Sequence, residues 1–585
     1  MQTPALVSLH TVQVRRTSIP AIMSAAASGA VQPSALSNPL RFDRWTLLTV
    51  AVATLIALPL ASVVITAFGD NADIWSHLAE TVLGTYVTNT LVLMLGVGVL
   101  TILLGTSTAW LVTMYRFPGR KLLSWALLLP LAVPSYVLAF VVTDQLEYAG
   151  TVQVALRALF GWESARDYWF PEIRSLGGAI GVMSLVLYPY VYLLARAAFI
   201  EQCFGLFEAS RTLGRGPIAS FWEIALPMAR PAIAVGVALA LMETLNEFGT
   251  VEFFGVPTFT AGIFDVWLNM NSVAGAAQLA LALVVFAFGL IYIERRSRKR
   301  QRFWSTTTRV QSLPEYELRP LTAWVSTLWC ALPVLLGFVL PAAVLASYSV
   351  EFHEVAMEGP FLKTTWNSVR LALSAALVAA LLGITLAYGV RLSRNRSIAT
   401  LAETATIGYA VPGAVLAVGI MVPLGAFDSL ANHFSEAWFG ITVGLVLSGS
   451  AIALVVGYVV RFMALGFRTV DASLAKVTPS IEGAARTLGK GPGATLWHIH
   501  LPLIRPSVLT ATLLVFVDTM KELPLTLILR PFNFETLATF VYQYASDELL
   551  EECALGALTI VAVGVIPVIA LSMSIARSRP GHGAR

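Results

Sequence analysis

The chain has 585 residues, of which 57% are apolar and only 12% charged, with a formal net charge of +4. Soluble domains carry about 25% charged residues, and a mean hydropathy of +0.75 leaves more apolar surface than a soluble chain can hide. The same figures exclude intrinsic disorder, and 38 basic against 34 acidic residues give no basic excess for nucleic acid.

Residues 1–44 are rich in Ser, Ala and Pro, lack helical periodicity, and are expected to form a disordered cytoplasmic tail. Twelve apolar stretches follow, at 46–68, 87–113, 122–143, 176–199, 231–250, 276–293, 321–349, 366–390, 398–425, 438–463, 506–527 and 553–576. Their length suits transmembrane helices, since only helices and closed barrels satisfy the backbone in lipid and no short alternating pattern of barrel strands is present. The expected class is therefore an all-α polytopic membrane protein. Most of the lysines and arginines fall in alternate loops, which the positive-inside rule places in the cytoplasm together with both termini.

An internal repeat organises the chain. Residues 208–231 read EASRTLGRGPIASFWEIALPMARP and residues 483–506 read GAARTLGKGPGATLWHIHLPLIRP, identical at 14 of 24 positions at an offset of 275. Upstream, Ala132-Val133-Pro134 matches Ala410-Val411-Pro412, and Asn89-Thr90-Leu91 resembles Asn367-Ser368-Val369. The expected organisation is a first six-span repeat over 45–293, a basic cytoplasmic linker over 294–320, a second six-span repeat over 321–577, and a short tail over 578–585. Six spans per repeat make the repeats parallel. Each repeated segment lies in a cytoplasmic loop and reads as a short helix, a glycine turn at Gly214 or Gly489, and a second amphipathic piece. Two such knobs at symmetric positions suit a twofold-symmetric cytosolic partner.

This pattern resembles the EAA loop of membrane subunits of binding-protein-dependent ATP-binding-cassette importers. The matching residues are Glu208, Ala209, Gly214, Ile224, Leu226 and Pro227 in the first half, and Ala484, Ala485, Gly489, Ile499, Leu501 and Pro502 in the second. The second half departs at Gly483, where the pattern has glutamate, with Glu482 one residue earlier. The resemblance implies a type I importer permease fold, two copies of a cytoplasmic ATPase seated on the loops, a periplasmic substrate-binding protein, and a bacterial inner-membrane location. The chain has no phosphate-binding Gly-x-x-x-x-Gly-Lys-Ser/Thr loop. It is thus expected to be a permease rather than an enzyme, binding no cofactor, with ATP used by the partner subunits.

Four acids stand inside spans 5 and 11. Glu243 and Glu247 are spaced i, i+4, and Asp518 and Glu522 hold the matching positions. Intramembrane acids are functional candidates, and carboxylate oxygens suit hard cations. They can equally be structural, with Lys521 neutralising Asp518 or Glu522. The segments 243–255 and 521–548 resemble the two-repeat ferric-iron importer permeases, whose wider relatives carry thiamine, aminoalkylphosphonate or polyamines. A proton-driven secondary transporter is the alternative of a different class. Pro130, Pro134 and Pro412 are expected to bend spans 3 and 9, and Arg196 and Arg461 to snorkel toward lipid headgroups. Cys203, Cys330 and Cys553 are too far apart for a zinc or disulfide framework, and no metal site is assigned.

Overall fold

A computed structural model describes residues 44–68, 72–201, 212, 214–298, 316–354, 360–393 and 395–577. The predicted tails lie outside these residues, except that Arg44 already opens the first helix. Twelve principal helices correspond one to one with the apolar stretches. In the first half they are α1 (Arg44–Ala67), α2 (Leu83–Met114), α3 (Ser135–Leu146), α4 (Leu176–Glu201), α5 (Leu226–Asn246) and α6 (Val273–Arg298). In the second they are α7 (Pro320–Glu351), α8 (Phe361–Ser393), α9 (Gly413–Phe439), α10 (Ala451–Leu474), α11 (Leu501–Met520) and α12 (Leu550–Arg577). Among the described residues, ten helices are long and apolar enough to cross a membrane; α3 belongs to a pair bent by 94°, and α6 contributes a shorter apolar run, Val273–Gly289. α6 extends to Arg298, into the predicted linker, and Tyr115–Arg116 (β1) pairs in parallel with Tyr316–Glu317 (β2) near the linker's end.

The duplication survives at atomic detail. α2 crosses α4, and α8 crosses α10, at repeat-matched glycines. A β-carbon on Gly105 would lie 2.8 Å from the Tyr192 nitrogen, and one on Gly383 would lie 2.6 Å from the Gly466 carbonyl carbon. Small residues allow such backbone approach where apolar side chains gain nothing by leaving lipid. The Asn-Thr and Asn-Ser pairs fix the far side of each half. Asn89 Nδ2 donates to the Pro257 carbonyl (2.9 Å) and Asn367 Nδ2 to the Glu535 carbonyl (3.0 Å). Phe259 N donates to Thr90 Oγ1, and Leu537 N to Ser368 Oγ.

The halves are interlocked. α1 packs on α8 and α9 of the opposite half, with Trp45 edge-on to Tyr388 at 5.0 Å. α7 packs on the first half, where Thr327 Oγ1 donates to the Pro118 carbonyl and Trp329 Nε1 to Ser107 Oγ, both at 2.9 Å. The cores accordingly mix residues of both halves, such as Ile56 and Leu279 with Ala376 and Leu416.

Four predicted spans have their boundaries corrected. Residues 398–425 and 438–463 read as spans, but the helices lie at α9 and α10, with a loop between. That loop is apolar, and its backbone is satisfied from α9: Asp428 accepts from Leu447 N and Ser448 N, and Asn432 from Val443 N and Gly444 N. Span 5 stops at Asn246 rather than 250, and span 11 at Met520 rather than 527.

Candidate functional site: a charged central cavity and two matched loops

Pro130, Pro134 and Pro412 lie at breaks in the helices, as the sequence predicts. A 3₁₀ turn, Leu129–Ala132 or Ile407–Ala410, precedes an extended Val-Pro step, and a new helix starts at Ser135 or Gly413. Proline carries no N–H and starts a helix without cost. These breaks face the breaks after α5 and α11, and a cavity of about 100 Å³ forms between the halves. All four predicted acids line it: Glu243, Glu247, Asp518 and Glu522.

Their chemistry divides into two pairs. Glu247 and Glu522 sit in the helix breaks and cap the short helices that follow, Gly249–Phe253 and Pro524–Leu529. Glu247 Oε1 accepts from Thr250 N and Thr250 Oγ1, both at 2.9 Å, while Oε2 accepts from Ser135 Oγ at 2.6 Å. Glu522 accepts from Leu525 N and Thr526 N, both at 3.1 Å. A carboxylate at orphan helix N–H groups is stabilising, and this is why the expected i, i+4 face does not continue through residue 247. Glu243 and Asp518 lie one turn earlier. Asp518 pairs with Lys521 at 3.0 Å. Glu243 makes no hydrogen bond among the described residues.

Arg461 is a correction: it does not snorkel. It lies mid-way along α10, is only 6% exposed, lines the cavity, and stands 3.8 Å from Glu522 Oε1. Arg196 lies near the end of α4, donating to the Ser124 carbonyl. Sequence reasoning placed the acids but missed Tyr190, Asn246 and Tyr409 on the cavity wall. Asn246 Oδ1 accepts from Gly413 N across the halves at 2.7 Å.

From Gly214 and Gly489 onward the repeated loops adopt one conformation. Gly214 has φ 76° and Gly489 φ 74°, the left-handed region open to glycine. Gly216 and Gly491 then cap Pro217–Ser220 and Pro492–Thr495 with nearly equal angles, and a π-turn, Phe221–Ala225 or Leu496–His500, leads into α5 or α11. Trp222 and Trp497, repeat-matched, are 62% and 68% exposed. Ile224, Leu226, Pro227, Ile499 and Leu501 are half-buried, Ala485 is buried, and Ala484 and Pro502 are exposed. Glu208 and Ala209 lie outside the described residues.

Among the described residues, the two loops show different anchors. Phe221 packs on Trp110 at 5.1 Å in an aromatic cluster with Phe199. In the second half the anchor is polar. Arg391 donates to buried Glu482 and to the carbonyls of Leu474 and Val477, and His500 stands 3.6 Å from Glu482. The displaced acid of the second loop thus serves as an internal strut.

These features define a polytopic helical fold of two repeats around a charged cavity, with one exposed loop per repeat ahead of α5 and α11. Residues 102–302 match the family of binding-protein-dependent transport system inner membrane components. The chain is 26% identical over 489 residues, 83% of its length, to the Fe(3+)-transport system permease protein FbpB 2 of Haemophilus influenzae, covering 88% of that protein. It is 26% identical over 453 residues to the probable ABC transporter permease protein y4fN of Sinorhizobium fredii, covering 72% of this chain and 75% of that one. It is 29% identical over 189 residues to the molybdenum transport system permease protein ModB of Escherichia coli, covering 31% of this chain and 79% of that one. Over most of its length the chain is thus similar to permeases of the binding-protein-dependent transport type.

Proposed function

We propose that the chain is the inner-membrane permease subunit of an ATP-driven importer of ferric iron, taking its cargo from a periplasmic binding protein. The observation that carries the coupling is the pair of loops around Gly214 and Gly489, which share one backbone conformation and each expose a tryptophan. Two copies of an ATPase seated there would pull on α5 and α11, whose far ends carry the cavity acids. Glu243 and Asp518 are the residues assigned to the cation, because Glu247 and Glu522 are engaged as helix caps. The similarity to a ferric permease over most of the chain favours iron over other cations.

The test is radioactive-iron uptake in cells carrying the wild-type chain or Glu243→Gln. Uptake is expected to require ATP and to fall more than tenfold in the variant, with equal amounts of protein in the membrane. Uptake that survives loss of ATP but collapses with the proton gradient would identify a secondary transporter and sink the proposal. Wild-type iron uptake in the presence of excess thiamine or polyamine is expected; competition by either would reassign the cargo.

A further inference from the structure

The repeat distributes the cavity's acids evenly but its cations to one side. Arg461 and Lys521 belong to the second half, and the matching first-half positions, Val186 and Asn246, also line the cavity. Lys521 is engaged by Asp518. Arg461 is not similarly engaged. Its Nε and Nη1 are buried and make no hydrogen bond. Glu522 at 3.8 Å attracts it but lies beyond hydrogen-bonding distance, and the Phe462 ring beside it offers no oxygen acceptor.

A guanidinium keeps its charge and presents five donors in a planar fork. Burying it with donors unused in a membrane protein is costly unless a ligand completes it. Phosphate, carbonate and carboxylate match that fork with two parallel bonds. Tyr190 and Tyr409 line the same cavity, and their hydroxyls make no hydrogen bond among the described residues, so two further neutral donors are present. We propose that Arg461, with Tyr190 and Tyr409, binds an oxyanion carried by the transported species. The cargo then enters the cavity as a cation with its oxyanion attached, the cation toward Glu243 and the anion toward Arg461. This rests on the reading of the cavity as the cargo's path. A bare cation would gain nothing from Arg461 and would be repelled by it.

The test is equilibrium binding of radiolabelled inorganic phosphate and of radiolabelled citrate to the purified full chain in lipid nanodiscs. Saturable binding of at least one probe is expected, weakened at least tenfold in Arg461→Met. No saturable binding by either probe, or equal binding in the variant, overturns the proposal. Should Arg461→Met fail to elute as a single species, Val186→Glu replaces it. That variant sets a carboxylate on the cavity wall to compete for the guanidinium. It is expected to weaken binding tenfold, and unchanged binding overturns the proposal. Iron uptake is read separately. Wild-type cells that fail to import iron overturn the ferric reading while Arg461-dependent binding stands; binding indifferent to Arg461 overturns the anion site while iron import stands.

Discussion

Glu243 and Glu247 are four residues apart in one sequence, yet their removal should be felt in different quantities. Glu247 accepts three hydrogen bonds, from Ser135 and Thr250, and loss of a capping acceptor costs about 1 kcal/mol. Glu247→Ala is therefore expected to lower the midpoint of heat unfolding in detergent. Glu243→Gln, which breaks no hydrogen bond, should leave that midpoint unchanged and remove uptake alone. Equal thermal effects would show that the two acids do not differ in role. The buried strut under the second loop is a stronger structural case. Glu482→Ala leaves the Arg391 charge without its counter-ion, and breaking one side of a buried ion pair costs about 3 kcal/mol. Replacing both partners, as in Arg391→Met with Glu482→Met, should recover much of the loss, because apolar side chains fill the site without an unpaired charge. A double variant as unstable as the sum of the singles would contradict this reading.

At the scale of elements, the turn glycines isolate conformation from packing. No atom lies within 4 Å of a β-carbon built on Gly214, Gly216, Gly489 or Gly491, so a substitution there meets no steric obstacle. Of these four, only Gly214 and Gly489 have positive φ. Valine at either should distort its turn at a cost of about 1–2 kcal/mol and abolish ATP-driven uptake while the protein remains folded. Alanine at Gly216 or Gly491 should be almost silent. Co-purification of the ATPase with each variant separates the cases, and retained recruitment with Gly489→Val would remove the loop's coupling role. These turns were legible in the sequence because the repeat quotes them twice. The helix breaks at Glu247 and Glu522 were not. The residues beyond them, such as Phe248 and Val251 or Leu523 and Leu525, stay apolar, so hydropathy runs on where the backbone turns. The 440–450 loop misled for the same reason: its side chains look like a span, and its polar satisfaction comes from Asp428 and Asn432 on a neighbouring element. Arg461 was misplaced because distance along the chain was read as depth, without knowing that α10 begins at Ala451.

Across the whole molecule, the exchanged helices α1 and α7 tie each half to the other, while the loops and the cavity lie at successive depths along α5 and α11. The end of the molecule opposite the loops carries a contact that spans the halves. Arg174, just before α4, pairs with Glu147 after α3 and with Glu548 ahead of α12, the latter at 2.9 Å. The three side chains are partly exposed, so the bridge is a screened surface network worth about 1 kcal/mol. That is too weak to hold a fold together, but it is enough to bias a two-state opening about fivefold. The proposed import cycle would break such a contact at each turn, so a weak bridge suits the site better than a buried one. A cysteine placed at Val186, on the cavity wall, reports the opening through its labelling rate with a membrane-impermeant maleimide added on the Arg174 side. Arg174→Gln and Glu548→Gln are each expected to speed labelling about fivefold. High salt should speed the parent protein toward the same rate and leave the variants unchanged. Labelling indifferent to both substitutions and to salt would mean that the bridge does not restrain access to the cavity.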